Sequence, residues 1–120
     1  MADEPRVALL DDNLMFSASM IARLSAAGFL ARAFAPTEAG VRELIAFAPA
    51  VTLVSLAAPG EWVKRLRQEP SLAAMRIVGY AGHLEAERLA AGRAAGADRV
   101  VANSALMSDP VAVVRSVLPP

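Results

Sequence analysis

Two adjacent carboxylates, Asp11 and Asp12, follow the apolar run VALL (7–10), and a lone hydroxyl, Ser55, nearly closes the run VTLVSL (51–56) ahead of a Pro-Gly loop. Adjacent carboxylates can hold a hard cation such as Mg²⁺, which takes oxygen ligands and keeps several waters. They can equally cap the helix that follows, where a short acidic side chain accepts from orphan N–H groups and suits the positive helix end. Ser55 is a nucleophile only if a base takes its proton, and carboxylates with a pKa near about 4 are feeble bases for an alcohol. Little other chemistry is on offer. There is no cysteine, which excludes disulfides, thiolate catalysis and Cys-ligated metals. His83 is the single histidine, so no histidine metal cluster can form, and it reads as an exposed capping or packing residue before a helix. Neither GxGxxG nor GxxxxGK[ST] occurs.

The chain around these residues has 120 positions, of which 56% are hydrophobic and 20% charged. That is enough for one packed domain, expected over 1–120 with a core from 6 to 118 and 119–120 beginning a linker. Twelve Lys and Arg balance twelve Asp and Glu. The zero net charge removes the electrostatic pull that nucleic-acid binders show. No run approaches the roughly 20 apolar residues of a membrane span, and the acidic start is not a signal peptide. The expectation is a cytoplasmic domain with neither nucleic acid nor membrane as partner.

Five short apolar runs fit strands: VALL (7–10), FLARAF (29–34), VTLVSL (51–56), RIVGY (76–80) and DRVVA (98–102). The first and third are almost continuously apolar, as in strands covered on both faces. Between them lie helical patterns. Leu14 to Ala27 carries Leu14, Ala18, Ile21 and Leu24 at near-helical spacing, with Gly28 as the stop. Thr37 is the expected N-cap of a helix with a Val41, Leu44, Ile45, Ala48 stripe. Trp62, Val63 and Leu66 make the packed face of a third helix, and the KRLR run 64–67 its solvated side. An alanine-rich fourth helix ends at Gly96. A fifth starts at Asp109 and Pro110 and carries Val111, Val114, Val117 and Leu118. Five strands alternating with five helices predict a parallel sheet between helical layers, with any site at the carboxyl ends of the strands.

The segments VALLDDN, VTLVSLAAPG, RIVGYAGH and AAGADRVVANS resemble, in order and spacing, the receiver domain of bacterial two-component response regulators, the CheY-like family. The resemblance runs from Arg6 to Leu118. It implies a flavodoxin-like α/β fold with sheet order 2-1-3-4-5. It also implies phosphoryl transfer from a histidine kinase to an aspartate at the end of the third strand. Mg²⁺ on the acidic pair, a Ser or Thr after the fourth strand and a Lys after the fifth assist that step. Position by position, Asp11 and Asp12 match the acidic pair. The acceptor position is Ser55, the hydroxyl position Ala81, the lysine position Asn103 and the switch-aromatic position Val100.

Acyl phosphate formation needs an ionised carboxylate, which Ser55 is not. Asn103 supplies no cation for the incoming phosphoryl group, though it can hydrogen-bond Asp11 or Asp12. Ala81 and Val100 lack the groups that relay phosphorylation. With one carboxylate ligand fewer, Mg²⁺ binding is expected to be weak or absent. The sequence therefore reads as a degenerate receiver, not an enzyme, that serves signal transduction as a phosphorylation-independent protein-interaction module. The face implied is that of the fourth helix, fifth strand and last helix, with Leu84, Arg88, Arg99, Val101, Val111 and Arg115 as its candidate contacts to a protein partner or a second copy. Two alternatives stand beside it. The crevice of Asp11, Asp12, Ser55 and Asn103 can take a small ligand or cation, or phosphorylation can occur at a non-standard residue such as Ser55. The closing VLPP stops a helix or opens a stiff linker to an output domain.

Overall fold

The two most continuously apolar runs, Arg6–Leu10 (β1) and Val51–Ser55 (β3), lie side by side at the centre of the sheet. There, helices cover both faces and no strand position needs to be polar. The computed structural model describes residues 4–119. Around the central pair run Leu30–Phe34 (β2), Arg76–Ala81 (β4) and Arg99–Ala102 (β5), all parallel, in the order β2-β1-β3-β4-β5. The fold class is the expected one. Register aligns the strand ends: Leu10 sits level with Val54, Ser55 with Tyr80, and Ala81 with Ala102. Asp11 and Ser55 are thereby brought to the same end of the sheet.

Helices Leu14–Ala26 (α1), Glu38–Phe47 (α2), Glu61–Arg67 (α3), Ala86–Ala95 (α4), Asn103–Ser108 (α5) and Pro110–Val117 (α6) complete the layers. Strand alternation splits the core in two. Val7, Leu9, Leu53, Tyr80 and Val101 pack with Met20 and Leu24 of α1, Leu106 of α5, and Val113 and Val114 of α6. On the other face Ala8, Leu10, Val54 and Ile77 meet Val41 and Leu44 of α2 and Val63 and Leu66 of α3. Leu56, just past the end of β3, fits a notch between two glycines. A Cβ at Gly79 would meet its side chain at 3.0 Å, and one at Gly92 would meet it at 2.8 Å. This lets α4 lie close over the end of β3. No described helix is long and apolar enough to cross a membrane.

Several local expectations change. Among the described residues there are six α-helices, because the short α5 follows β5 directly. The buried face of α1 is Ser17, Met20 and Leu24, while Leu14 is 79% exposed and Ala18 also faces out. Leu14 is the first helical residue after the cap, Asn13, one turn ahead of the first buried position, Ser17. In α2 the stripe ends on Phe47, because Ala48 is a left-handed C-cap at φ 53°. In α6 Val113 is buried alongside Val114. Trp62 packs partly buried against the α2–α3 core as expected. The KRLR run is not simply solvated. Arg67 donates to the carbonyls of Gly96 and Met75 at 2.9 and 2.7 Å and pairs with Asp98 at 2.6 Å, tying α3 to β4 and β5. Arg65 pairs with Glu38 at 2.9 Å. Pro120, part of the expected linker, and residues 1–3 lie outside the described residues.

Candidate functional site

Past the carboxyl ends of β1, β3 and β4 opens a crevice of about 430 Å³, lined among others by Asp11, Asp12, Ser55, Ala81 and Asn103. Five of the six positions singled out in the sequence therefore meet in one place. The sixth, Val100, is half-buried against the core on the α2–α3 side.

The two aspartates are not equivalent. Asp12 is exposed, whereas Asp11 is only 8% exposed. Asp11 Oδ1 accepts from the Asn13 N–H at 2.9 Å, and Asp11 Oδ2 accepts from the Tyr80 hydroxyl at 2.6 Å. Both carboxylate oxygens are thus engaged within the protein. Neither aspartate caps α1. Asn13 does so, its Oδ1 accepting from the Phe16 N–H at 3.0 Å. This corrects the capping reading of the acidic pair, since the loop turns through Asp11 before the helix begins at Leu14.

Tyr80 is the crevice residue whose pairing with Asp11 sequence reasoning missed. It is 3% exposed, its ring stacks on Phe16 at 5.3 Å between centroids, and its hydroxyl reaches the crevice wall. Burial first, then the hydrogen bond to Asp11 and the charges of Asp11 and Asp12, push the phenol far above the ordinary tyrosine range. The folded state therefore keeps a proton that the unfolded chain loses near pH 10. The stability this group contributes is fully present below about pH 10 and is lost as pH rises beyond it. We expect unfolding free energy to fall by about 1.4 kcal/mol per pH unit above pH 10 on this account. Urea titrations at stepped pH check this, and Tyr80→Phe should flatten the slope. Tyr80 is the chain's single tyrosine and there is no cysteine, so an equal slope in both proteins defeats the assignment.

The remaining positions carry little charge toward the crevice. Ser55 is half-buried, and its Oγ accepts from the Ala57 N–H at 3.4 Å. Ala81 is a buried methyl group of the core. Asn103 opens α5, exposed, and among the described residues it is not hydrogen-bonded to either carboxylate. Arg88 is the one cationic residue of the lining, and it pairs with Glu85 at 2.6 Å. Coulomb's law then makes the crevice net acidic, unwelcoming to a phosphoryl group. His83 is exposed in the loop before α4, as expected.

Of the candidate contact face, Leu84 is 86% exposed and Arg88, Arg99 and Arg115 are exposed. Arg99 donates to Ser116 Oγ at 2.6 Å, which pins β5 to α6. Val101 must be withdrawn from that face. It is 7% exposed in the core, because strand alternation turns it toward α5 and α6. Val111 is half-buried against the same core.

No family model matches the chain, and no curated relative matches it. Solved structures do. A chemotaxis response regulator, CheY4 of Vibrio cholerae, superposes with a TM-score of 0.85 at 18% identity, covering 97% of this chain and 100% of its own. A CheY-like response regulator receiver domain protein from Methanospirillum hungatei gives 0.80 at 17% identity, covering 95% and 93%. A response regulator protein from Burkholderia multivorans gives 0.72 at 23% identity, covering 98% of each chain. At these identities the likeness establishes architecture. Together with the 2-1-3-4-5 parallel sheet and its strand-end crevice, it shows that the chain has the CheY-like fold of response regulator receivers.

Proposed function

We propose that this domain works in signal transduction as a receiver-like protein-interaction module that takes no phosphoryl group. The observation that carries the reading is the state of the crevice. A hydroxyl stands where an acceptor carboxylate would be needed, and the only lining cation is already paired with Glu85. Phosphoryl transfer depends on positioning and on neutralising charge, and neither is supplied here. The donor set also fits Mg²⁺ poorly. That ion demands near-octahedral oxygen ligation, while Asp11 already accepts two hydrogen bonds and Asp12 is left as the single free carboxylate of the pair. The module is not an enzyme in this reading. Its partner is a protein, met through the exposed residues Leu84, before α4, Arg88 of α4, Arg99 of β5 and Arg115 of α6.

The test is incubation with acetyl phosphate and Mg²⁺ followed by intact-mass measurement. No phosphoryl adduct is expected at any residue. A stoichiometric adduct, whether on Ser55 or on an aspartate, overturns the proposal. A small-ligand role for the crevice is a second reading, favoured by the free Asp12 carboxylate, Ser55 hydroxyl and Asn103 amide that line it. Saturable amide shifts confined to these residues on titration with metabolites would support it.

A further inference from the structure

We propose that Tyr80 is a built-in latch. By donating its phenolic proton to Asp11 it holds the first carboxylate of the acidic pair in an internal hydrogen bond and keeps the crevice from binding divalent cations. The inference rests on the reading of this domain as a receiver-like module that works without phosphate, and it names the residue that keeps the cation out.

Three observations carry it. First, the bond is short and dry: the hydroxyl lies 2.6 Å from Oδ2, with Tyr80 3% and Asp11 8% exposed. Charge-assisted O–H···O⁻ bonds of this length are the strong ones. Second, the phenol cannot swing away without cost, because its ring is stacked on Phe16 at 5.3 Å and sits among the α1-side core residues. Third, the other oxygen is also committed, accepting from the Asn13 N–H at 2.9 Å. Asp11 thus lines the crevice beside Asp12 while both of its oxygens already accept hydrogen bonds from within the protein. Register explains how Tyr80 gets there. It is level with Ser55 on β3, and β3 lies between β4 and β1, so its long side chain must reach along the sheet end to meet the residue after Leu10. A phenylalanine would fill the same space and donate nothing. Tyr80 is accordingly a positioning residue acting through Asp11.

The experiment titrates Mn²⁺ into the full chain at neutral pH and reads free Mn²⁺ by electron paramagnetic resonance, for the wild type and Tyr80→Phe. A cation ligating Asp11 Oδ2 would have to displace the charge-assisted hydrogen bond that Tyr80→Phe removes, so Tyr80→Phe is expected to bind Mn²⁺ at least about tenfold more tightly. Adding Asp11→Asn to Tyr80→Phe should abolish the gain. Equal affinity in wild type and Tyr80→Phe, with an unchanged far-ultraviolet dichroism spectrum, overturns the latch, and so does a gain that survives Asp11→Asn. If Tyr80→Phe fails to fold, Tyr80→Met removes the same donor and is read in the same way: a gain of about tenfold that Asp11→Asn abolishes is expected, and an affinity equal to the wild type overturns the latch. Labelling of the wild type by acetyl phosphate would refute the phosphate-independent role and leave this comparison readable on its own.

Discussion

Asp11→Ala is expected to lower the unfolding free energy by about 2–4 kcal/mol, while Asp12→Ala should change it by no more than about 0.5 kcal/mol. The asymmetry follows from what each carboxylate touches. Removing Asp11 strands the Tyr80 hydroxyl, buried beside Phe16, and takes the acceptor from the Asn13 N–H that shapes the turn into α1. Leaving a buried donor unsatisfied costs about 1–3 kcal/mol, more where the lost bond was charge-assisted. Asp12 is exposed and accepts no hydrogen bond among the described residues. The sign matters more than the size. In an open acidic pair the neighbouring charges repel, and neutralising either one stabilises the fold. Here that relief should be outweighed at Asp11. Urea midpoints at pH 7 for the two variants decide it, and a stabilised Asp11→Ala protein would show that the pair is open and that the Tyr80 bond contributes little. Asp11→Asn should fall between, since one amide oxygen can still accept from the phenol.

The architecture was legible because it rests on patterns that short windows carry. VALL has no polar position and VTLV only the small Thr52, a pattern that suits strands covered on both faces, and Gly28 and Gly96 stand where the chain needs positive φ. The location of the site followed from the same pattern, since residues just past strand ends must gather at one edge of a parallel sheet. What the sequence hid was pairing across distance. Tyr80 sits inside an apolar run and reads as an ordinary core aromatic. Its partner is 69 residues away, and only the register of β1, β3 and β4 makes them neighbours. The same limit explains Arg67, whose three partners lie just ahead of β4 and β5, and which looks from its neighbours like one more solvated cation. Leu14 shows the converse fault. It is apolar and correctly spaced, yet exposed, standing at the first helical position, one turn ahead of the first buried residue, Ser17. Helix α5 was missed because six residues show too little periodicity to register.

Ser55→Asp alone is expected to leave the domain unlabelled by acetyl phosphate, whereas Ser55→Asp combined with Ala81→Thr and Asn103→Lys should label at least about tenfold faster than the single variant. The single change supplies a nucleophile, whose oxygen would attack phosphorus and expel acetate. It also adds a further negative charge to a crevice that already holds Asp11, Asp12 and Glu85 against one paired arginine. The donor is itself anionic, so approach is opposed and nothing neutralises the charge of the transferring group. Asn103 is exposed at the start of α5 and lines the crevice, so a lysine there has room to bring its ammonium to the phosphoryl oxygens. Ala81 is a buried methyl at the crevice wall, where threonine would add a hydroxyl at modest packing cost. Intact-mass time courses with and without Mg²⁺ read the outcome. Should Ser55→Asp label as fast as the triple variant, the crevice needs no added cation and the account of a disabled site is wrong. If the triple variant stays unlabelled until Tyr80→Phe is added, the hydrogen bond on Asp11 is the dominant block, because that fourth change frees Asp11 Oδ2 to join Asp12 and the new carboxylate at the metal.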